Sequence, residues 1–228
     1  QRQMCIRDRG GIAFSRVSPE GEEGFPGALA VTVTYILLRD GICIRYEAES
    51  TRDTFVSLTN HAYFNLAGQG NGSVLDHTLA LAAEEYTPAG ADNLPFGRLA
   101  PVAGTALDFR TENSLGARIG DALLAPLHGY DHNFALSGRG IRRAAKLSCP
   151  RSGVSMAVDT TMEGMQLYTA NFLSARAGKG GVQYEPYSGV CLETQRFPDA
   201  MHHAAFPSPL LRAGMRYDER TEYRFTLA

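Results

Sequence analysis

Side chains that alternate between apolar and polar constrain the fold of this chain more than any other feature of its sequence. In residues 31–37, Val31, Val33, Tyr35 and Leu37 fall on one side, and Asp40-Gly41 leads into the segment ICIRYEAES. A period of two is typical of a strand with one face against a core. Asp-Gly is typical of a hairpin turn. The sequence therefore predicts two antiparallel strands joined by a tight turn.

The same alternation recurs along the chain, while helix signals are few. Further strands are predicted at residues 54–66, 77–86, 146–149, 153–161, 165–170, 189–195 and 222–227. Ser114 is predicted to cap a short helix that carries Leu115, Ile119 and Leu123. Many strands separated by glycine- and proline-rich loops predict an all-β fold, a large antiparallel β-sandwich.

Composition limits the classes of function. The 228 residues are 44% hydrophobic and 20% charged with a net charge of −2, which is ordinary for a globular protein and argues against a nucleic-acid partner. No apolar run approaches the roughly 20 residues that span a membrane, so no membrane partner is expected. The four cysteines form no CxxC pair, which disfavours structural zinc and is consistent with a cytoplasmic location.

The first ten residues, QRQMCIRDRG, differ from the strand-rich text that follows. They lack the charged, apolar and small-residue regions of a signal peptide. We expect residues 1–10 to be a non-native leader. No shift in composition marks a boundary in the remainder, so residues 11–228 are predicted to form a single domain.

The segment TNHAYFNLAG, residues 59–68, places polar residues inside a predicted strand. Alternation separates a core side, with Asn60, Ala62, Phe64 and Leu66, from a side with Thr59, His61, Tyr63 and Asn65. The second side has the composition of a wall of a wet cleft. The alternative is that His61 is an ordinary hydrogen-bonded histidine on a half-exposed sheet face.

The segment GVCLETQRFPDA, residues 189–200, places Cys191, Glu193 and Gln195 on one face of a strand. A carboxylate at the end of an apolar run is expected to be partly desolvated, which raises its pKa and makes it a better base near neutral pH. The alternative is that Glu193 pairs with a nearby cation such as Arg196 or Arg212.

The segment GYDHNF, residues 129–134, contains Asp131, His132 and Asn133 in succession. Such a cluster can bind hydroxyl groups, or it can form a turn through its own backbone. His128 and His132 are spaced for a metal site only on a helix, and Gly129 argues against a helix here. The adjacent His202 and His203 are predicted to be solvated. No nucleotide-binding or metalloprotease motif occurs, which leaves acid–base chemistry by histidine and carboxylate.

Five segments, NHAYFNLAG, AEEYTPAGADNLPFGRLAPVAGTALDFR, GYDHNF, GMQLYTANFL and CLETQRFPDA, occur in the order found in aldose 1-epimerases. The chain resembles that family over roughly residues 28–228. The resemblance implies a large antiparallel β-sandwich with a sugar cleft on one sheet face. It also implies interconversion of the α and β anomers of free aldohexoses without a cofactor or metal.

Residue by residue, the resemblance implies roles for several side chains. Glu193 matches the base that removes the proton of the C1 hydroxyl, and His61 matches the acid that protonates the ring oxygen. Asp131 matches a residue that binds sugar hydroxyls, and Gln166 resembles a cleft residue. Asn60 is a further substrate-binding candidate, although alternation places it on the core side, where we expect it to bond to neighbouring backbone.

Members of this family carry a further N-terminal portion with an arginine and a histidine that line the cleft. The histidine lies in a Leu-His-Gly-Gly-like segment, and no such segment occurs in this sequence. We therefore expect a fold that is incomplete at its N-terminus, with an incomplete cleft and exposed core edges. The expected partner is a small sugar, and the expected assembly is a monomer or weak dimer.

Two other functions remain open from the sequence. An epimerase acting on a hexose 6-phosphate would need arginines near the cleft, and Arg98, Arg110, Arg142 and Arg143 are available. A non-catalytic carbohydrate-binding module would bind sugar without needing Glu193 and His61 as a pair.

Overall fold

A computed structural model describes residues 2–6, 10–90 and 92–227, with side chains from residue 10 onward. Within these ranges the strands are β1 (Arg2–Ile6), β2 (Gly11–Ser18), β3 (Leu29–Leu38), β4 (Gly41–Ser50), β5 (Thr54–Phe55), β6 (Thr78–Leu81), β7 (Ala83–Tyr86), β8 (Ala100–Pro101), β9 (Asn113–Ser114), β10 (Asp131–Leu136), β11 (Arg142–Ser148), β12 (Val154–Thr160), β13 (Gly164–Tyr168), β14 (Arg176–Ala177), β15 (Gln183–Tyr184), β16 (Cys191–Gln195), β17 (Leu210–Leu211) and β18 (Arg216–Leu227). Short 3-10 turns cover Glu22–Gly24, Leu115–Arg118, Ala125–Leu127, Lys179–Gly181 and Ala200–His202. No helix in these ranges is long and apolar enough to cross a membrane.

The strands of the described residues form two main antiparallel sheets. The larger has nine strands in the order β1-β2-β3-β4-β18-β12-β11-β6-β9, and the smaller has five in the order β16-β13-β10-β7-β8. The pairs β14–β15 and β5–β17 stand apart from both sheets. The predicted all-β antiparallel class is confirmed.

The inner faces of the two main sheets pack together to form the core. The Tyr223 hydroxyl, from the nine-stranded sheet, donates to the backbone carbonyl of Leu192 in the five-stranded sheet at 3.1 Å. Thr221 and Thr194, both fully buried, are hydrogen-bonded across the same interface. Phe64 packs on the Tyr223 ring with centroids 5.0 Å apart. This layering confirms the predicted β-sandwich.

The strand predicted at residues 54–66 is wrong for most of its length. Regular pairing covers only β5, and Phe64 later makes an isolated bridge with Val190. The alternation nevertheless marks exposure correctly, since Thr59, His61 and Tyr63 are exposed whereas residues 60, 62 and 64 are half-buried. An extended segment laid over a sheet shows the same two-residue period as a strand within one.

The cap predicted at Ser114 is confirmed, but the predicted helix is shorter than expected and does not reach Leu123. The Ser114 hydroxyl does accept the Gly116 backbone N–H at 3.3 Å, as a helix cap would. The element is a 3-10 turn that ends at Arg118; Gly116 lies inside it, and Gly120 lies two residues beyond its end. Glycine weakens a helix by about 1 kcal/mol, and the turn instead buries Leu115 completely.

The hairpin predicted at Asp40-Gly41 is confirmed, but Gly41 has a different reason to be glycine. Residues 39 and 40 form the turn, and Gly41 is the first residue of β4. A Cβ atom at this position would lie 1.9 Å from the Tyr223 carbonyl oxygen of β18. Glycine is therefore required by the close approach of the neighbouring strand.

The N-terminal prediction stays a prediction. Residues 2–6 form β1 and pair with residues 11–15 of β2, while residues 1 and 7–9 lie outside the described part of the chain. On β2 the apolar side chains of Ile12, Phe14 and Val17 are exposed. The division into a leader at 1–10 and a single domain at 11–228 is not tested by these observations.

Candidate active site

An imidazole and a carboxylate meet on the outer face of the five-stranded sheet. His61 Nε2 lies 3.3 Å from Glu193 Oε1. Glu193 projects from β16 and is 7% exposed, whereas the His61 side chain is 51% exposed on the segment between β5 and β6. The two residues predicted as acid and base are therefore in direct contact, with the carboxylate below and the imidazole open to solvent.

The alternative partners of Glu193 are occupied elsewhere. Arg196 pairs with Glu163 and Glu219 on either side, and Arg212 pairs with Asp53. The interpretation of Glu193 as one half of an ordinary arginine ion pair is wrong.

Strand register brings the other predicted side chains to this face. Glu193 is paired across the sheet with Gln166, and Asp131 lies opposite Tyr168. Directly paired residues of antiparallel strands point to the same face. The Gln166 side-chain amide donates to Asp131 Oδ1 at 2.7 Å. Gln166 Oε1 is buried and has no hydrogen-bond partner among the described residues.

Burial shapes the electrostatics of the two carboxyl groups. Desolvation raises the pKa of Glu193; the proximity of His61 opposes this shift, and the negative charge of Asp131 adds to it. Desolvation also raises the pKa of Asp131, although the hydrogen bond from Gln166 and the charge of His61 both act to lower it. A carboxylate with a raised pKa is a stronger base, and the paired imidazole supplies a group that can carry a proton.

Two tyrosines add an aromatic wall. The His61 ring stacks on Tyr63 with centroids 5.1 Å apart and meets the edge of Tyr168 at 6.1 Å. Alternation places Tyr63 on the cleft side, whereas Tyr168 was not among the predicted site residues. The signal was present, because Tyr168 follows Gln166 by two positions on the same strand and so shares its face.

A buried histidine holds the end of the segment that carries His61. His77 is fully buried, and its Nε2 accepts the Leu66 backbone N–H at 3.0 Å while Nδ1 lies 2.9 Å from Asp76 Oδ1. Burial lowers the pKa of His77, which keeps it neutral and able to accept this bond. Phe64 exchanges two backbone hydrogen bonds with Val190. The segment is thus fixed to the sheet a few residues beyond His61.

Asn60 fixes the other side of His61. Its Oδ1 accepts the Ala62 backbone N–H at 3.2 Å, and its Nδ2 donates to the Tyr35 hydroxyl at 3.3 Å. The predicted bond to neighbouring backbone is confirmed. Its role in substrate binding stays a prediction.

The histidines of the sequence analysis separate in the structure. His132 points to the opposite face from Asp131 and lies against Tyr86, and His128 packs on Phe172 in a turn. The two therefore occupy different surroundings, which gives no support to a metal site between them. His202 is exposed as predicted, but the prediction for His203 is wrong, since it is half-buried against Phe206.

The pH dependence of stability provides a test for His132. Burial lowers its pKa to about 4, from an ordinary 6.5, and its Nδ1 accepts the Asp131 backbone N–H at 3.1 Å, which requires a neutral ring. Between pH 6.5 and 4 the His132 side chain therefore binds a proton in the unfolded chain but not in the folded chain. The free energy of unfolding of the wild type should fall by up to about 3 kcal/mol as the pH is lowered through this range. We expect His132→Leu to remove this fall.

Urea unfolding at several pH values measures this effect, with exposed His202→Gln as the control. If the free energy of unfolding depends on pH equally in the wild type and in His132→Leu, the lowered pKa of His132 is contradicted.

Three of the four arginines considered for phosphate binding have other partners. Arg110 pairs with Asp108 and Glu84, and Arg143 pairs with Asp159. Arg142 donates to backbone carbonyls, including that of Met162. These side chains do not assemble beside the Glu193–His61 pair.

The fold and this site define an antiparallel β-sandwich with an acid–base pair on one sheet face, and comparison with known proteins gives the family. A model of the aldose 1-epimerase family matches residues 4–224, so the chain belongs to that family. It is 44% identical over 220 residues to the galactose mutarotase of Homo sapiens, which aligns with 96% of this chain and 64% of the human protein. It is 36% identical to the aldose 1-epimerase of Escherichia coli K12, with 94% of this chain and 63% of that protein aligned.

Solved structures agree with the fold. A GalM/aldose epimerase homologue from C. elegans superposes with a TM-score of 0.89 at 26% identity, covering 100% of this chain and 68% of that one. The galactose 1-epimerase of Lactobacillus acidophilus gives a TM-score of 0.83 at 26% identity, covering 100% and 66%. The chain thus spans a little under two thirds of the length of the curated relatives it matches.

Proposed function

We propose that this chain carries the acid–base site of an enzyme that interconverts the α and β anomers of free aldohexoses such as galactose and glucose. The contact of 3.3 Å between His61 Nε2 and Glu193 Oε1 carries the proposal. Ring opening of a sugar needs one proton removed and one delivered at different atoms, and two adjacent groups of different charge suit that task. A binding module would have no need of this pair.

In the proposed reaction, the Glu193 carboxylate removes the proton of the C1 hydroxyl while protonated His61 delivers a proton to the ring oxygen. The C1–O5 bond breaks and C1 becomes a carbonyl. Rotation about C1–C2 presents the other carbonyl face, and the reverse transfers close the ring as the other anomer. Both groups return to their starting protonation states, so the cycle needs no cofactor, metal or net proton.

Asp131 and Gln166 are proposed to hold the sugar hydroxyls. The Gln166 amide is already bonded to Asp131, which leaves Gln166 Oε1 as an acceptor without a partner among the described residues. A sugar hydroxyl that donates to this oxygen satisfies it, and a buried unpaired acceptor otherwise costs about 1–3 kcal/mol.

Replacing Gln166 by methionine is expected to raise KM for galactose about tenfold with a smaller change in kcat. The change removes a hydrogen bond to the bound sugar but touches neither proton-transfer group, and tenfold corresponds to about 1.4 kcal/mol. Initial rates over a range of galactose concentrations separate the two constants. An unchanged KM would remove Gln166 from the sugar site. Exposed Gln183→Met on β15 is the matched control.

Polarimetry on freshly dissolved α-D-galactose and α-D-glucose tests the function itself. Optical rotation should reach equilibrium faster than in buffer, at a rate proportional to protein concentration. Running glucose and glucose 6-phosphate side by side tests the alternative substrate class, and faster conversion of the phosphate would overturn the assignment to free sugars. Binding measured by calorimetry without any excess rate would favour a carbohydrate-binding module.

A further inference from the structure

A third side chain completes a set of metal-ligand donors beside the proposed acid and base. Cys191 Sγ lies 3.4 Å from His61 Nδ1, and the donor atoms of His61, Cys191 and Glu193 all lie within 4.8 Å of one another. In the described part of the chain, no other group of three or more such side chains comes together in this way. The proposed anomer interconversion uses no step at the thiol.

The sulfur–nitrogen spacing fits a tetrahedral ion, whereas Glu193 contacts the other ring nitrogen, so the His61 ring must turn for all three donors to reach one ion. Zinc binds thiolate sulfur at about 2.3 Å and imidazole nitrogen at about 2.0–2.1 Å, so two such ligands stand about 3.5 Å apart. The observed sulfur–nitrogen separation is 3.4 Å. His61 lies on an extended segment outside the sheet, so its ring can adjust without disturbing the strand that carries the other two donors.

We propose that His61, Cys191 and Glu193 form a binding site for a thiophilic divalent cation such as Zn²⁺, which blocks the sugar cleft when it binds. Three protein ligands leave a fourth position for water on the open side, where the His61 side chain is half-exposed. The binding site stands on geometry alone. Only the inhibition rests on the proposed function.

The charges around the cluster favour a dication. Burial and the negative charges of Glu193 and Asp131 raise the pKa of the Cys191 thiol. The same negative field attracts Zn²⁺, and binding releases the thiol proton to solvent.

Cobalt(II) is the probe, because Co²⁺ adopts zinc geometries and shows a near-ultraviolet charge-transfer band when a thiolate binds it. The full chain, free of any histidine tag and kept reduced, is titrated with Co²⁺ without oxygen. We expect one equivalent to bind with this band. Cys191→Ser should abolish the band and weaken binding at least about tenfold, and His61→Gln should weaken binding similarly.

Cys149→Ser is the matched control, since Cys149 is an equally buried cysteine on the other sheet side of the core. Its band should equal that of the wild type, and far-ultraviolet circular dichroism confirms that each variant is folded. Survival of the band in Cys191→Ser, or its absence from folded wild-type protein, would overturn the site.

Inhibition is measured separately by polarimetry. Zn²⁺ should slow galactose mutarotation, and excess EDTA should restore the rate. A cobalt band on a protein that never accelerates mutarotation would leave the metal site standing and overturn the proposed function. Uninhibited mutarotation at saturating Zn²⁺ would overturn the blocking role.

Discussion

Replacing Glu193 by glutamine is expected to lower kcat for mutarotation by about 10³-fold, equivalent to about 4 kcal/mol of activation free energy. Glutamine keeps the shape of the side chain and its contact with His61 but cannot take the proton of the C1 hydroxyl. It also removes a buried charge whose pKa is raised by desolvation, so the free energy of unfolding should not fall. Polarimetry gives the rate, and urea unfolding gives the stability.

Glu85→Gln is the matched control, because Glu85 is an exposed carboxylate on β7 of the same sheet. It should keep the wild-type rate. A Glu193→Gln variant with more than half the wild-type kcat would exclude Glu193 as the base. If Glu193→Gln does not fold, Glu193→Asp is measured instead, because aspartate keeps the charge but its shorter side chain places the carboxylate further from the sugar.

Replacing His61 by glutamine is expected to lower kcat by about 10²-fold. The ring oxygen must then open without a positioned proton donor, and general acid catalysis typically contributes 10²–10⁴-fold. His61 is half-exposed and makes few packing contacts in the core, so the variant should remain as stable as the wild type. The exposed His202→Gln variant serves as the control for a histidine outside the cleft.

Combining Glu193→Gln with His61→Gln tests whether the two residues act as a unit. When one proton transfer cannot proceed without the other, the double variant should lie within about tenfold of the slower single variant. Fully multiplicative losses would mean that the two side chains act independently and that their contact has no catalytic meaning.

Much of the candidate site could be predicted because it lies on a regular strand. Alternation placed Cys191, Glu193 and Gln195 on one face of β16, and the register with β13 confirms that face. The buried side of the same strand, Leu192 and Thr194, packs into the core as a period of two requires.

The segment around His61 shows where the sequence was insufficient. This segment is extended and has the side-chain period of a strand, but it is not paired with neighbouring strands along its length. It is held instead by the isolated Phe64–Val190 bridge and by the hydrogen bond from the Leu66 backbone to His77. Alternation predicts which side chains are exposed, but it cannot predict which other segment of the backbone lies beside this one. Neither could it show that Arg196 is held by two glutamates, since pairing between distant segments depends on the fold.

The last strand of the described chain lies in the middle of the larger sheet. β18 sits between β4 and β12, and His61 lies beside Cys191, 130 positions further along the sequence. Contacts between such distant positions form slowly, because a long loop must close before they contribute. We therefore expect the cleft to assemble late in folding, after residues 216–227 have joined the larger sheet. Regained activity in a refolding experiment would then report completion of the whole topology.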